Sequence, residues 1–227
     1  MLHLKESYIF IKNNIKYVVI LLLVIGIKFV SMNYNDAGKI NYLEILGENF
    51  VTYETILDFT YNSIINFVFI ITAFKIFSFN IRKNIEFTFL RTSRLRYVVH
   101  CFINILVMFF YYISILTIYI FILSMFFGKT ITIDLNSFIA TILIKSIVSY
   151  FMIFLEVLIG ELYFIPYISI YALPVVVTII DIKKYFACIF ASSYINNLFL
   201  LTLAYIIVSS ILAKIVSKNI LKFANKL

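Results

Sequence analysis

The sequence predicts an all-α, polytopic membrane protein with six transmembrane helices, an N-terminal interfacial helix, and a helical cytoplasmic segment between spans two and three. Composition is the first reason. Of 227 residues, 63% are hydrophobic and 13% charged, with a mean hydropathy of +1.05, against about 45–50% and about 25% in soluble domains. A globular chain of this size buries only about 70–75% of its extended surface, so the apolar remainder needs an apolar solvent. Pattern is the second: the apolar runs are long and continuous rather than alternating. That selects helices over a barrel, the two structures that pair every backbone group inside hydrocarbon. Thirdly, Lys and Arg cluster between the runs, as they do in loops that anchor a membrane protein on one side. A soluble enzyme is excluded on these grounds, and no nucleic-acid partner is expected.

The elements follow in chain order. Leu4, Tyr8, Ile11 and Ile15 recur at helical spacing, with Lys5, Lys12 and Lys16 on another face. This predicts an interfacial helix over residues 1–16. The stretch is too polar for the apolar core of a cleavable signal, so the chain is read as mature. A hydrocarbon core about 30 Å thick needs about 20 helical residues, and spans are expected over 17–32, 56–79, 97–127, 138–158, 162–180 and 197–216. The first is short, and Lys28 near its end is expected to snorkel. The third is long enough to tilt or to project from the membrane. Spans four and five share one apolar stretch from Phe138 to Ile180. Its break is placed between Glu156 and Glu161, where Gly160 and the two carboxylates form a turn and Pro166 begins or kinks the next helix. The segment from Asp181 to Asn197, with Lys183 and Lys184, is expected to be re-entrant or interfacial. No repeat or soluble linker divides the chain, which reads as one membrane domain. Its wealth of Ile, Phe, Tyr, Asn and Lys is what an AT-rich, low-GC bacterial coding sequence produces.

Basic residues set the orientation. Lys75, Arg82, Lys83, Arg91, Arg94 and Arg96 face one acid, Glu86, in the second connection, which is therefore cytoplasmic. The first connection carries Lys39 against Asp36, Glu44, Glu48, Glu54 and Asp58 and belongs outside. Both termini are then cytoplasmic, in a multi-pass cell-membrane protein. Lys214, Lys218, Lys222 and Lys226 repeat every four residues, a face suited to anionic headgroups. Lys183 and Lys184 fall outside against this trend.

Few residues carry recognisable chemistry. Gly128, Lys129 and Thr130 resemble the tail of a phosphate-binding loop, but Leu123 stands where such a loop needs a second glycine. His100 and Cys101 are adjacent, a base beside a thiol, yet neighbours on a helix point about 100° apart. Cys101 and Cys188 match no metal spacing. Lys145 and Glu156 lie within apolar segments and share a helical face three turns apart, which makes them functional candidates. Lys145 alternatively snorkels to the outer interface, and Glu156 with Glu161 alternatively lines a cytoplasmic turn. Tyr163, Tyr167 and Tyr171 form an i, i+4, i+8 stripe, either lining a substrate path with Lys145 or supplying the interfacial belt of a chain that lacks tryptophan.

The cytoplasmic segment Ile81 to His100 lacks Gly and Pro and is expected to be helical, lying along or just below the membrane surface. Its order of residues, with Glu86, the apolar turn Phe87 to Leu90, the pair Ser93 and Arg94, and a basic entry into the third span, resembles the segment after span two in permease subunits of type-2 ABC exporters. Thr92 and His100 stand where that family often has proline and lysine. The resemblance implies that this segment is a coupling helix inserted into a cleft of a separate ATPase subunit, with Glu86, Phe87, Leu90, Arg91, Ser93, Arg94 and Arg96 as coupling residues. It further implies that ATP and Mg are bound by that cytoplasmic partner, that this chain hydrolyses nothing, and that two permease copies, or one with a similar partner, form the path. An amphipathic peptide, toxin or lipid is the expected substrate. The competing readings are an intramembrane peptide-processing enzyme using Cys101 or the carboxylates, and a secondary transporter or channel that needs no ATPase.

Overall fold

The computed structural model describes residues 15–35, 39–41, 45, 56–88, 93–132, 135–159 and 198–224. They form five helices, α1 (Ile15–Asn35), α2 (Ile56–Thr88), α3 (Arg94–Phe127), α4 (Leu135–Ile159) and α5 (Leu198–Ala224), and two short strands, β1 (Lys39–Asn41) and β2 (Thr130–Thr132). The expected interfacial helix before Ile15, the fifth span and the element from Asp181 to Asn197 lie outside the described residues.

None of α2 to α5 contains Gly or Pro, so nothing in their sequences breaks the backbone ladder. Helix α2 accordingly runs on for 33 residues, past the expected end of span two. Ser93 starts α3 as its N-cap, and Gly128 ends it in the left-handed conformation, φ 64°. The amides of Gly128 and Lys129 reach back to Met125 O and Ser124 O at 3.4 and 3.0 Å, closing the last turn. Several helix hydroxyls bond the preceding turn of their own helix, as with Thr72 to Val68 O, Thr117 to Ile113 O and Ser146 to Ile142 O. That satisfies them without water.

Three helical stretches, Arg94–Phe127, Phe138–Leu158 and Leu198–Ile220, are long and apolar enough to cross a membrane. Ile64–Phe79 of α2 is a shorter apolar stretch. Large apolar side chains point outward along the bundle, among them Leu23, Ile118, Phe126, Phe199 and Ile206, each at least 60% exposed. Such a surface suits lipid.

Aromatic contacts fix helix directions. Gly26 and Phe29 of α1 meet Tyr119 and Phe127 of α3 in the same order, so the two run parallel. A Cβ at position 26 would lie 2.7 Å from the Tyr119 hydroxyl, the free end of that side chain, which would have to shift to admit it. Phe69 of α2 packs edge-on against Phe109 and Tyr112 of α3. Phe138 and Tyr150 of α4 meet Phe110 and Phe102 in reverse order, so α4 is antiparallel to α3. Ala140 and Leu143 of α4 cluster with Leu201 of α5, and Tyr150 reaches Tyr205. Helices α4 and α5 therefore run parallel, so α4 ends and α5 starts at opposite ends of the bundle.

Helix α1 thus covers the C-terminal half of α3 and α4 its N-terminal half. This staggering explains why α3 has 34 residues, about 51 Å of helix, more than the hydrocarbon alone requires. Beyond α1 and α3, β1 and β2 pair in parallel with Lys39 opposite Thr130. They tie the first connection to the one after α3 at a single end of the molecule. Helix α4 is the central element, 56% buried over its apolar window, whereas α5 is 22% buried and peripheral.

Candidate functional site

The expected coupling residues fall around the tip of the α2–α3 hairpin. Glu86 and Phe87 occupy the last turn of α2, while Leu90 and Arg91 lie outside the described residues. The backbone of Ser93 is extended, and its hydroxyl accepts from the Arg96 amide at 3.4 Å. Tyr97 N donates to Ser93 O at 3.1 Å, closing the first turn. Ser93, Arg94, Leu95 and Arg96 are all exposed, whereas Tyr97 and Val98 turn into the core. The segment from Ile81 to His100 is therefore not one separate surface helix. Its first part, Ile81 to Thr88, continues α2, because no residue there interrupts the ladder, and its last part, from Arg94, opens α3.

A second group lies inside the bundle. Lys28, Lys145 and Glu156 are 1%, 4% and 0% exposed. Lys28 does not snorkel: Leu21, Ile25, Lys28 and Phe29 form one inward stripe of α1 at i, i+4, i+7 and i+8, and the lysine is carried with it. Lys145 likewise turns inward. Its ammonium donates to Asn66 Oδ1 of α2 at 2.6 Å and lies 5.7 Å from the centre of the Phe69 ring. The amide oxygen and the ring's π-face both complement a cation withdrawn from water.

Along α4 the buried polar residues are Thr141, Lys145, Ser146, Ser149 and Glu156, and all but Ser146, whose hydroxyl bonds its own helix at Ile142 O, recur at i, i+4, i+8 and i+15. At 3.6 residues per turn they fall within about 80° of arc, so the core helix carries one polar stripe into the protein. Ser149 departs from the pattern of its neighbours: its hydroxyl is buried and makes no hydrogen bond, as is true of Tyr112 on α3. Tyr112 touches the same Phe69 ring that lies beneath Lys145. One turn further along α4, Tyr150 stacks on Phe102 at 4.0 Å and donates to Phe102 O at 2.7 Å, and its hydroxyl lies 3.1 Å from that of Tyr205. This knot joins α3, α4 and α5.

The other candidates separate. Gly128 closes a helix, whereas a phosphate-binding loop opens one, and Thr130 continues into β2. Cys101 is fully buried in the apolar core, and His100 beside it is partly exposed. Among the described residues no group of His, Cys, Asp and Glu has metal-binding geometry. Tyr163, Tyr167, Tyr171, Glu161 and Cys188 lie outside the described residues. Sequence reasoning found Lys145 and Glu156 but missed Asn66, Tyr112, Ser149 and Tyr150. The i+4 spacing of Thr141, Lys145 and Ser149 was a legible signal, whereas nothing local marks Asn66 or Tyr112. Comparison with protein-family models, curated proteins and solved structures returned no match.

Proposed function

We propose that the chain is the permease subunit of an ABC exporter, six spans with both termini cytoplasmic, working as a dimer with separate ATPase subunits. The observation that carries this reading is the α2–α3 hairpin. Two long helices end in a tip where the family-like order from Glu86 to Arg96 meets exposed Arg94 and Arg96. A partner closing on that tip acts on two levers that reach the membrane interior, which is the mechanical requirement for alternating access. The parallel course of α4 and α5 supports an additional crossing between them, as six spans require. The single end shared by β1 and β2 supports an outer location for both of their connections. The substrate class expected is an amphipathic peptide, toxin or lipid, and ATP and Mg belong to the partner.

The buried stripe of α4 favours a second reading, a secondary transporter that uses Lys145 and Glu156 without an ATPase. Co-expression with a candidate ABC ATPase subunit separates the two. The first reading expects a stable complex and ATPase stimulation that Glu86→Ala or Arg94→Ala reduces about tenfold, a change equal to one lost charge-assisted contact. Absence of a complex, with export indifferent to both substitutions, contradicts it.

A further inference from the structure

We propose that Lys16, Tyr17 and Lys75 form a headgroup site for an anionic phospholipid of the inner leaflet, with the outward face of α1 as the track for its acyl chain. The site lies where the start of α1 meets α2. Lys16 Nζ is 5.5 Å and Lys75 Nζ 4.8 Å from the centre of the Tyr17 ring, so the two charges stand within about 10 Å of each other and repel. Lysines that only anchor a helix extend away into water. These two turn onto one ring, which is itself part of the core at 8% exposure. Lys16 is exposed and Lys75 half-buried, so a ligand reaches both from the surface. Among the described residues neither ammonium is paired with a carboxylate. A phosphate seated between them replaces their repulsion with two charge-assisted hydrogen bonds.

The surroundings say which kind of phosphate fits. Lys16, Ile20, Leu23 and Ile27 follow one another at i, i+4, i+7 and i+11, all exposed, and so form a single outward stripe of α1. The stripe is cationic at its start and apolar beyond, and Lys28 does not interrupt it because that side chain turns into the core. From Lys16 to Ile27 it measures about 16 Å, the depth of one leaflet of a hydrocarbon core about 30 Å thick. Both lysines belong to the basic clusters that mark the cytoplasmic side. A basic pocket between membrane helices on that side suits an anionic headgroup, and the apolar stripe suits the chain attached to it.

The proposal does not depend on the ATPase reading, and its test needs no ATPase. The full chain, purified in a neutral detergent, is titrated with phosphatidylglycerol, with phosphatidylcholine, and with glycerol phosphate as a headgroup lacking chains, and bound lipid is counted by native mass spectrometry. Phosphatidylglycerol should bind about tenfold more tightly than phosphatidylcholine, and glycerol phosphate should not displace it. Lys16→Gln and Lys75→Gln should each weaken phosphatidylglycerol binding about fivefold, and together they should abolish the preference. Lys16→Arg and Tyr17→Phe should retain it, because charge and ring are kept. Lys214→Gln with Lys218→Gln removes two exposed charges from α5 and should leave it intact. Equal binding of the two lipids by the wild type overturns the site, as does an equal loss from the α5 pair, which would mean attraction by net charge alone. Displacement by glycerol phosphate overturns the lipid assignment. Should the double variant at positions 16 and 75 fail to fold, the single variants decide, and an unchanged preference in both overturns the proposal.

Discussion

At Lys145 an ammonium group is held 2.6 Å from a neutral amide oxygen inside the bundle, an arrangement that hydrophobic packing alone does not favour. Removing only Asn66, as Asn66→Leu, withdraws an acceptor from a buried cation and should lower stability by about 1–3 kcal/mol. The double replacement Asn66→Leu, Lys145→Met should recover most of that loss, since an apolar pair of similar size replaces the polar one. Thermal unfolding in detergent reads both. Gly128, at φ 64°, predicts a second residue-scale result. Gly128→Ala should cost about 1 kcal/mol through backbone strain, although no atom crowds the added methyl. The sequence made Lys145 and Glu156 legible because charge inside an apolar run is conspicuous. Asn66 and Tyr112 were not, since hydroxyls and amides are common in membrane helices and their significance depends on what packs opposite.

Among the elements, α3 organises the molecule by accepting α1 along one half and α4 along the other. The α1 contact depends on Gly26. Gly26→Ala places a methyl against the Tyr119 hydroxyl, whose side chain can shift, and should destabilise by no more than about 1 kcal/mol, and adding Tyr119→Phe should restore much of it. A double-mutant cycle on thermal stability measures the coupling. The ends of α3 and α4 were readable to within a few residues: spans expected over 97–127 and 138–158 appear within Arg94–Phe127 and Leu135–Ile159. Gly128 caps the first of those ends. The continuation of α2 past residue 79 was not anticipated as part of the same helix, because a charge cluster marks the membrane edge without stopping a helix. The inward turn of Lys28 was missed for a related reason: its depth was read from the sequence, but which face of α1 meets α3 is settled by Gly26. The strands β1 and β2, three residues each, carried no local signal, because their pairing joins segments that only the α1–α3 contact brings together.

For the whole molecule, side-chain contacts fix the directions of α1, α3, α4 and α5 relative to one another. In a background lacking Cys101 and Cys188, Lys129→Cys should react with an impermeant maleimide from outside intact cells, and Arg96→Cys only after permeabilisation. Labelling of both from one side contradicts the topology. The central claim, that the α2–α3 tip engages an ATPase, is tested most directly by cross-linking from that tip. Leu95, 42% exposed and not itself among the proposed coupling residues, is the position of choice. Leu95→Cys bearing a short photoactivatable group, in membranes that contain the co-expressed ATPase, should cross-link to it with a yield that changes on nucleotide binding, while Lys129→Cys does not. Equal yields at both positions, or none at position 95 in the properly inserted protein, would contradict the account.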